Sequence, residues 1–118
     1  MAKHILENFI KNKVRKGDVY IPATLFLLLK NNGKATKEQI AKLIYIFENK
    51  HSLEKYEVIV ESFVAVILDE YGLVTREDDL FILNTWPLEQ KDIEELIRLC
   101  YKVSNGFFRN LESQKKAA

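Results

Sequence analysis

The sequence predicts a mainly α domain that carries one small β-hairpin. Three observations lead there. Apolar residues recur mostly three and four apart, the repeat of helices that bury one face. Only 4 Gly and 2 Pro interrupt 118 residues, fewer breaks than a sandwich or barrel requires. Two short apolar runs, Leu73 to Arg76 and Leu80 to Leu83, flank Glu77-Asp78-Asp79 and read as strands joined by a tight turn. At 47% hydrophobic the chain supports one core, so residues 1–111 are read as a single domain and residues 112–118 as a flexible polar tail.

The first element is an amphipathic helix from Ala2 to Val14, with Ile5, Leu6, Phe9 and Ile10 on one face. Arg15-Lys16-Gly17-Asp18 breaks its pattern, and Val19-Tyr20-Ile21 runs extended into Pro22, whose fixed φ suits the first turn of a helix. The helix that follows, ATLFLLLK, is apolar almost all round and belongs at the centre of the core; Asn31-Asn32-Gly33 ends it in a left-handed cap. Thr36-Lys37-Glu38-Gln39 has the form of a capping box, in which the Thr36 hydroxyl accepts from the Gln39 amide and the Gln39 side chain reaches back. The helix it starts buries Ile40, Leu43, Ile44 and Phe47. Ser52 caps a third helix that runs from Leu53 to about Glu70. Its core side is Tyr56, Ile59, Val60, Phe63, Val64 and Ile67, while Val58, Val66 and Leu68 fall outside that stripe. After the hairpin, Trp86 packs over the strands and Pro87 opens a last helix, with Ile93, Leu96, Ile97, Cys100, Val103 and Phe107 at helical spacing as far as about Asn110.

The net charge of +1 conceals a lopsided distribution. Residues 1–50 hold 10 Lys and Arg against 4 Asp and Glu, residues 51–90 hold 2 against 9, and residues 91–118 hold 6 against 4. Positive charge therefore gathers in the first half, and negative charge in the third helix and hairpin.

Helix, capped helix, longer helix and hairpin, in that order, make up a winged-helix domain, here with an added amphipathic helix at each end. On the residues ATKEQIAKLI, KYEVIVESFVAVILDEYGLVTREDDLFIL and LEQKDIEELIRLC, the chain resembles the small winged-helix domains found beside HNH nuclease or HIT-type domains in restriction-associated proteins. The resemblance covers roughly Ile21 to Phe108. It implies a DNA-binding or DNA-associated module of a restriction or mobile-element system. Where the family places several Lys and Arg on the solvent face of the third helix, this sequence has Glu61, Ser62, Val66, Asp69 and Glu70. The 118 residues contain no HNH or HIT signature, so no nuclease or hydrolase chemistry is implied.

Affinity for duplex comes largely from Lys and Arg that neutralise phosphates. Between His51 and Gln90 only Lys55 and Arg76 are basic, so the third helix and hairpin are not expected to sit against a phosphate backbone. If double-stranded DNA is bound, the contact falls to Lys11, Lys13, Arg15, Lys16, Lys34, Lys37 and Lys42. Lys34 and Lys37 also flank a helix start, where backbone amides attract anions. The blander reading of Lys11 to Lys16 is a solvated helix end. The competing function is a protein-interaction or homodimerisation module with no direct DNA contact, its patch formed by Val58, Val66, Leu68, Phe107 and Phe108. An acidic face that occupies a DNA-binding partner is a variant of it.

Neither function is catalytic. No Gly-rich phosphate loop, nucleophile triad or paired catalytic carboxylates emerge, and no cofactor is implied. His4 and His51 stand in no ligand-spaced cluster, and the carboxylates Glu57, Glu61, Asp69 and Glu70 read as solvated surface, so no metal site is expected. Cys100 lies on an apolar stripe and reads as core. As the one cysteine it forms no internal disulfide, which suits a reducing cytoplasm. No apolar run is long enough to span a membrane.

Overall fold

The computed structural model describes residues 2–15 and 18–104. Five helices and three strands lie among them, in the order α1 (Ala2–Lys13), α2 (Tyr20–Lys30), β1 (Lys34–Thr36), α3 (Lys37–Glu48), α4, β2 (Val74–Glu77), β3 (Leu80–Leu83) and α5 (Gln90–Val103). α4 is one continuous helix in three segments: α-helical Leu53–Ile59, π-helical Val60–Val64 and α-helical Ala65–Glu70. The strands form an antiparallel sheet in the order β1-β3-β2.

α2 is the hub. Its residues Ile21, Ala23, Leu25 and Leu28 are fully enclosed, and it packs against α3, α4 and α5, while α1 lies on α5. The helix begins at Tyr20, two residues before Pro22, where an extended approach was expected. Pro22 is tolerated because the first four N–H groups of a helix have no intrahelical partner. The far end closes as anticipated: Asn32 and Gly33 take positive φ, and the Gly33 N–H donates to the Leu28 carbonyl at 2.8 Å.

β1 was not foreseen. It joins the hairpin along β3, pairing Lys34 with Ile82, Ala35 with Phe81 and Thr36 with Leu80. The hairpin itself is one residue out from the expected boundaries: Glu77 pairs with Leu80, leaving a two-residue turn in which Asp78 takes a φ of 55°. Phe81 and Leu83 point into the core with Ala35. The capping box of α3 is present in full, with Gln39 N–H to Thr36 Oγ1 at 3.1 Å and Thr36 N–H to Gln39 Oε1 at 2.9 Å. Ser52 caps α4 through the Lys55 amide. The last helix starts at Gln90, so Pro87 belongs to the preceding connection.

The largest departure lies in α4. Its Ala65 N–H donates to the Val60 carbonyl five residues back, a π turn that inserts one extra residue into the helical repeat. The apolar stripe therefore changes register. Tyr56, Val60, Val64, Ala65 and Leu68 are buried, whereas Phe63 is 41% exposed and Ile59 and Ile67 are only half-buried. This corrects the expected interaction patch: Leu68 is enclosed in the core and cannot belong to a surface, while Val58 and Val66 do stand exposed at 57% and 56%. Phe107 and Phe108 lie outside the described residues.

A polar joint ties three helices together. The Tyr20 and Tyr56 hydroxyls both donate to Glu48 Oε1, at 2.9 and 2.8 Å, and the Lys50 N–H donates to the Tyr56 oxygen. Burial first, and the Glu48 carboxylate after it, hold the Tyr20 phenol above its ordinary value of 10.0; the Tyr56 phenol is raised as well, again chiefly by burial. The folded protein thus favours both neutral phenols. That stabilisation is whole below the unfolded value and is lost as pH rises past it. Urea unfolding is expected to show stability falling between about pH 9 and about pH 11, and the Tyr20→Phe variant to lose less over the same interval. Equal losses in both proteins would contradict the assignment.

Candidate functional site

α4 presents an exposed ridge, Val58, Ser62 and Val66, at four-residue spacing. Its two flanks carry opposite charge.

On the hairpin side, Glu61 is the centre of a compact ionic group. Arg76 Nη1 and Nη2 donate to Glu61 Oε2 and Oε1, each at 3.0 Å, in the two-pronged geometry that suits guanidinium and carboxylate. Arg76 is fixed there because alternation along β2 turns it to the same face as Val74. Its guanidinium carbon lies 4.1 Å from the centre of the Phe81 ring, and Nη2 also reaches the Asp78 carbonyl. The guanidinium, with Lys37 adding to it, holds the Glu61 carboxyl below the usual carboxylate range. Lys37 Nζ lies 3.7 Å from Glu61 Oε1 and 3.5 Å from Asp79 Oδ1. Beyond this group, a shallow groove holds Glu54 and Glu57 beside Val58 and Ser62.

The opposite flank is a groove of roughly 760 Å³ between α4 and the junction of α1 and α2. Ile59, Phe63 and Ile67 supply its apolar side, and Lys13 and Arg15 its basic rim. Asp18 and Tyr20 complete the lining. The Asp18 carboxylate accepts from the Tyr20 N–H at 3.2 Å, and burial raises its pKa.

The cations expected on a phosphate backbone are thus scattered and partly committed. Lys37 is taken up by Glu61 and Asp79, Lys42 pairs with Glu38 at 3.8 Å, and Lys11 pairs with Glu7 at 3.8 Å. At the start of α3 two amides are already engaged by the chain itself, the Lys37 N–H donating to the Asp79 carbonyl at 2.8 Å and the Gln39 N–H to Thr36. Among the described residues, Lys13, Arg15 and Lys34 hold no ion pair. Lys13 and Arg15 precede α2 and Lys34 follows it, so the length of that helix, about 16 Å, separates them. Lys16 lies outside the described residues.

Sequence reasoning missed Phe63, Tyr20 and Asp18 as surface or groove residues. The excess of apolar residues around α4 was the only hint, and it does not say which of them a π turn would release. Cys100 is enclosed, and burial pushes its thiol up to about 12, far from the range of a reactive thiolate. Among the described residues no three His, Cys, Asp or Glu side chains are grouped to hold a metal ion, and no helix is long and apolar enough to cross a membrane. No family model matches the chain, and no curated protein or solved structure shows significant similarity to it.

Proposed function

We propose that the chain is a winged-helix domain that serves as a protein-interaction module and makes no duplex contact through α4 and the β2–β3 hairpin. The succession of α2, β1, α3, α4 and hairpin, with β1 completing the sheet along β3, supports the winged-helix reading. The observation that carries the function is the ionic group at Glu61. It consumes Arg76 and Lys37, two of the cations that could have met phosphates beside α4. What α4 and the hairpin then present is carboxylate, from Glu54, Glu57, Asp69, Glu70, Glu77 and Asp78, with Lys55 as the one exposed cation among their described residues. Phosphates brought against that surface are repelled, and the exposed apolar side chains Val58, Phe63 and Val66 gain from a protein surface instead.

The resemblance to restriction-associated domains favours a second reading, contact with duplex through the basic N-terminal half. Of the seven cations which that reading assigns to the contact, Lys13, Arg15 and Lys34 are unpaired among the described residues. A fluorescence anisotropy titration with a short labelled duplex separates the two. The interaction-module reading expects no saturable binding at low salt. The second reading expects weak binding whose logarithm falls with the logarithm of salt at a slope of about −3 or shallower, removed by Lys13→Ala with Arg15→Ala.

A further inference from the structure

The two flanks of α4 are complementary to each other, so one copy of the chain supplies what another lacks. We infer that the exposed face of α4 is a homodimer contact, in which two copies pair their α4 helices in parallel about a twofold axis that runs along the Val58–Ser62–Val66 ridge. This inference rests on the interaction-module reading and names its partner.

The geometry follows from symmetry. A twofold axis along the ridge carries the left flank of one copy over to the right flank of the other. The Lys13 and Arg15 rim of each copy then meets the Glu54 and Glu57 flank of its partner, and the match occurs twice. A twofold axis across the ridge makes the helices antiparallel and lays rim on rim and carboxylate on carboxylate, so charge selects the parallel arrangement. Asp18 lies in the same groove and offsets part of the rim's charge, but the two cations Lys13 and Arg15 outnumber it.

The ridge suits close approach. Valine, serine and valine are small enough to bring two helix backbones near each other, and the Ser62 hydroxyl is already satisfied by the Val58 carbonyl at 2.7 Å. Phe63, set outside the core by the π turn, flanks the ridge and is placed to cover the partner's Val58 and Ser62. A π turn in a helix is commonly found at a functional position. Here it has a definite consequence: it keeps Phe63 out of the core and places an aromatic side chain at the surface, the residue type that interfaces favour.

Sedimentation velocity on the full chain, from micromolar to millimolar concentration, tests this. A reversible monomer–dimer equilibrium is expected, with Val66→Glu monomeric throughout. The double variant Lys13→Glu with Arg15→Glu, and separately Glu54→Lys with Glu57→Lys, should each weaken the dimer by more than about tenfold. Mixing the two double variants in equal amounts should restore pairing, because each now carries one sign on both flanks and the signs are opposite. Circular dichroism on every variant confirms that it is folded, and the mixture provides a gain of association that unfolding cannot imitate. A wild-type chain that stays monomeric, a dimer that survives Val66→Glu, or double variants that fail to pair with each other would overturn the inference. A monomeric chain sinks the dimer alone; saturable duplex binding that depends on α4 sinks the interaction-module reading.

Discussion

Leu68→Ala should lower the free energy of unfolding by roughly 2–5 kcal/mol, whereas Phe63→Ala, which deletes a larger side chain five residues away, should cost about 1 kcal/mol or less. The ordering follows from the π turn. Leu68 is fully enclosed and Phe63 is 41% exposed, although an uninterrupted α-helical repeat assigns them the reverse. Removing Leu68 leaves a cavity beneath α4 that the packed surroundings fill only in part, while Phe63 loses contacts chiefly at a surface. Urea or guanidinium unfolding of the two variants reads this directly. If Phe63→Ala proves the more damaging, the stripe of α4 is the regular one, the Ala65 to Val60 hydrogen bond is absent, and the ridge described above is displaced.

Gly33→Ala is expected to be nearly as damaging, at roughly 2–5 kcal/mol, because two independent costs fall on one residue. Gly33 holds a φ of 81°, which a side chain resists, and a Cβ there would lie 2.6 Å from Trp86 Cγ and 2.7 Å from Cδ2. The turn cannot move freely away from the ring, because Gly33 is fastened on both sides: its N–H caps α2 at Leu28 and its carbonyl accepts from the Leu83 N–H. Gly72 is the control. Its φ of 68° imposes the same backbone penalty, but a Cβ there meets nothing within 4 Å, so Gly72→Ala should cost only about 1–2 kcal/mol. Equal losses at the two sites would mean that Trp86 does not press on the turn.

What the sequence reveals and what it hides divide along the range of the interactions involved. The capping box at Thr36 and the Ser52 cap are legible because donor and acceptor lie three residues apart, and the hairpin is legible because alternation and turn residues stand side by side. β1 is three residues long and exists only because β3 offers an edge, so no local pattern announces it. Likewise, nothing in the spacing of Val60 to Val64 marks a π turn, which is why Leu68 and Phe63 exchange places.

Charge behaves in the same way. The excess of carboxylates in residues 51–90 is plain in the composition and survives as the acidic face of α4 and the hairpin. That Lys37 would be drawn to Glu61 and Asp79 is invisible, since it requires the start of α3, the middle of α4 and the tip of the hairpin to converge. The basic residues form a set in sequence but not a patch in space, because α2 stands between Arg15 and Lys34.

If α4 and the hairpin face protein and not nucleic acid, as we propose, added duplex leaves both elements undisturbed. Two-dimensional amide NMR of the labelled chain, with a short duplex added at low salt, tests it residue by residue. Resonances of Glu54, Glu57, Ser62, Asp69 and Asp78 should remain where they are as duplex is added, with any displaced signals confined to the neighbourhood of Lys13, Arg15 and Lys34. Saturable movement of the α4 and hairpin resonances, reversed by added salt, would place that helix against DNA and contradict the account.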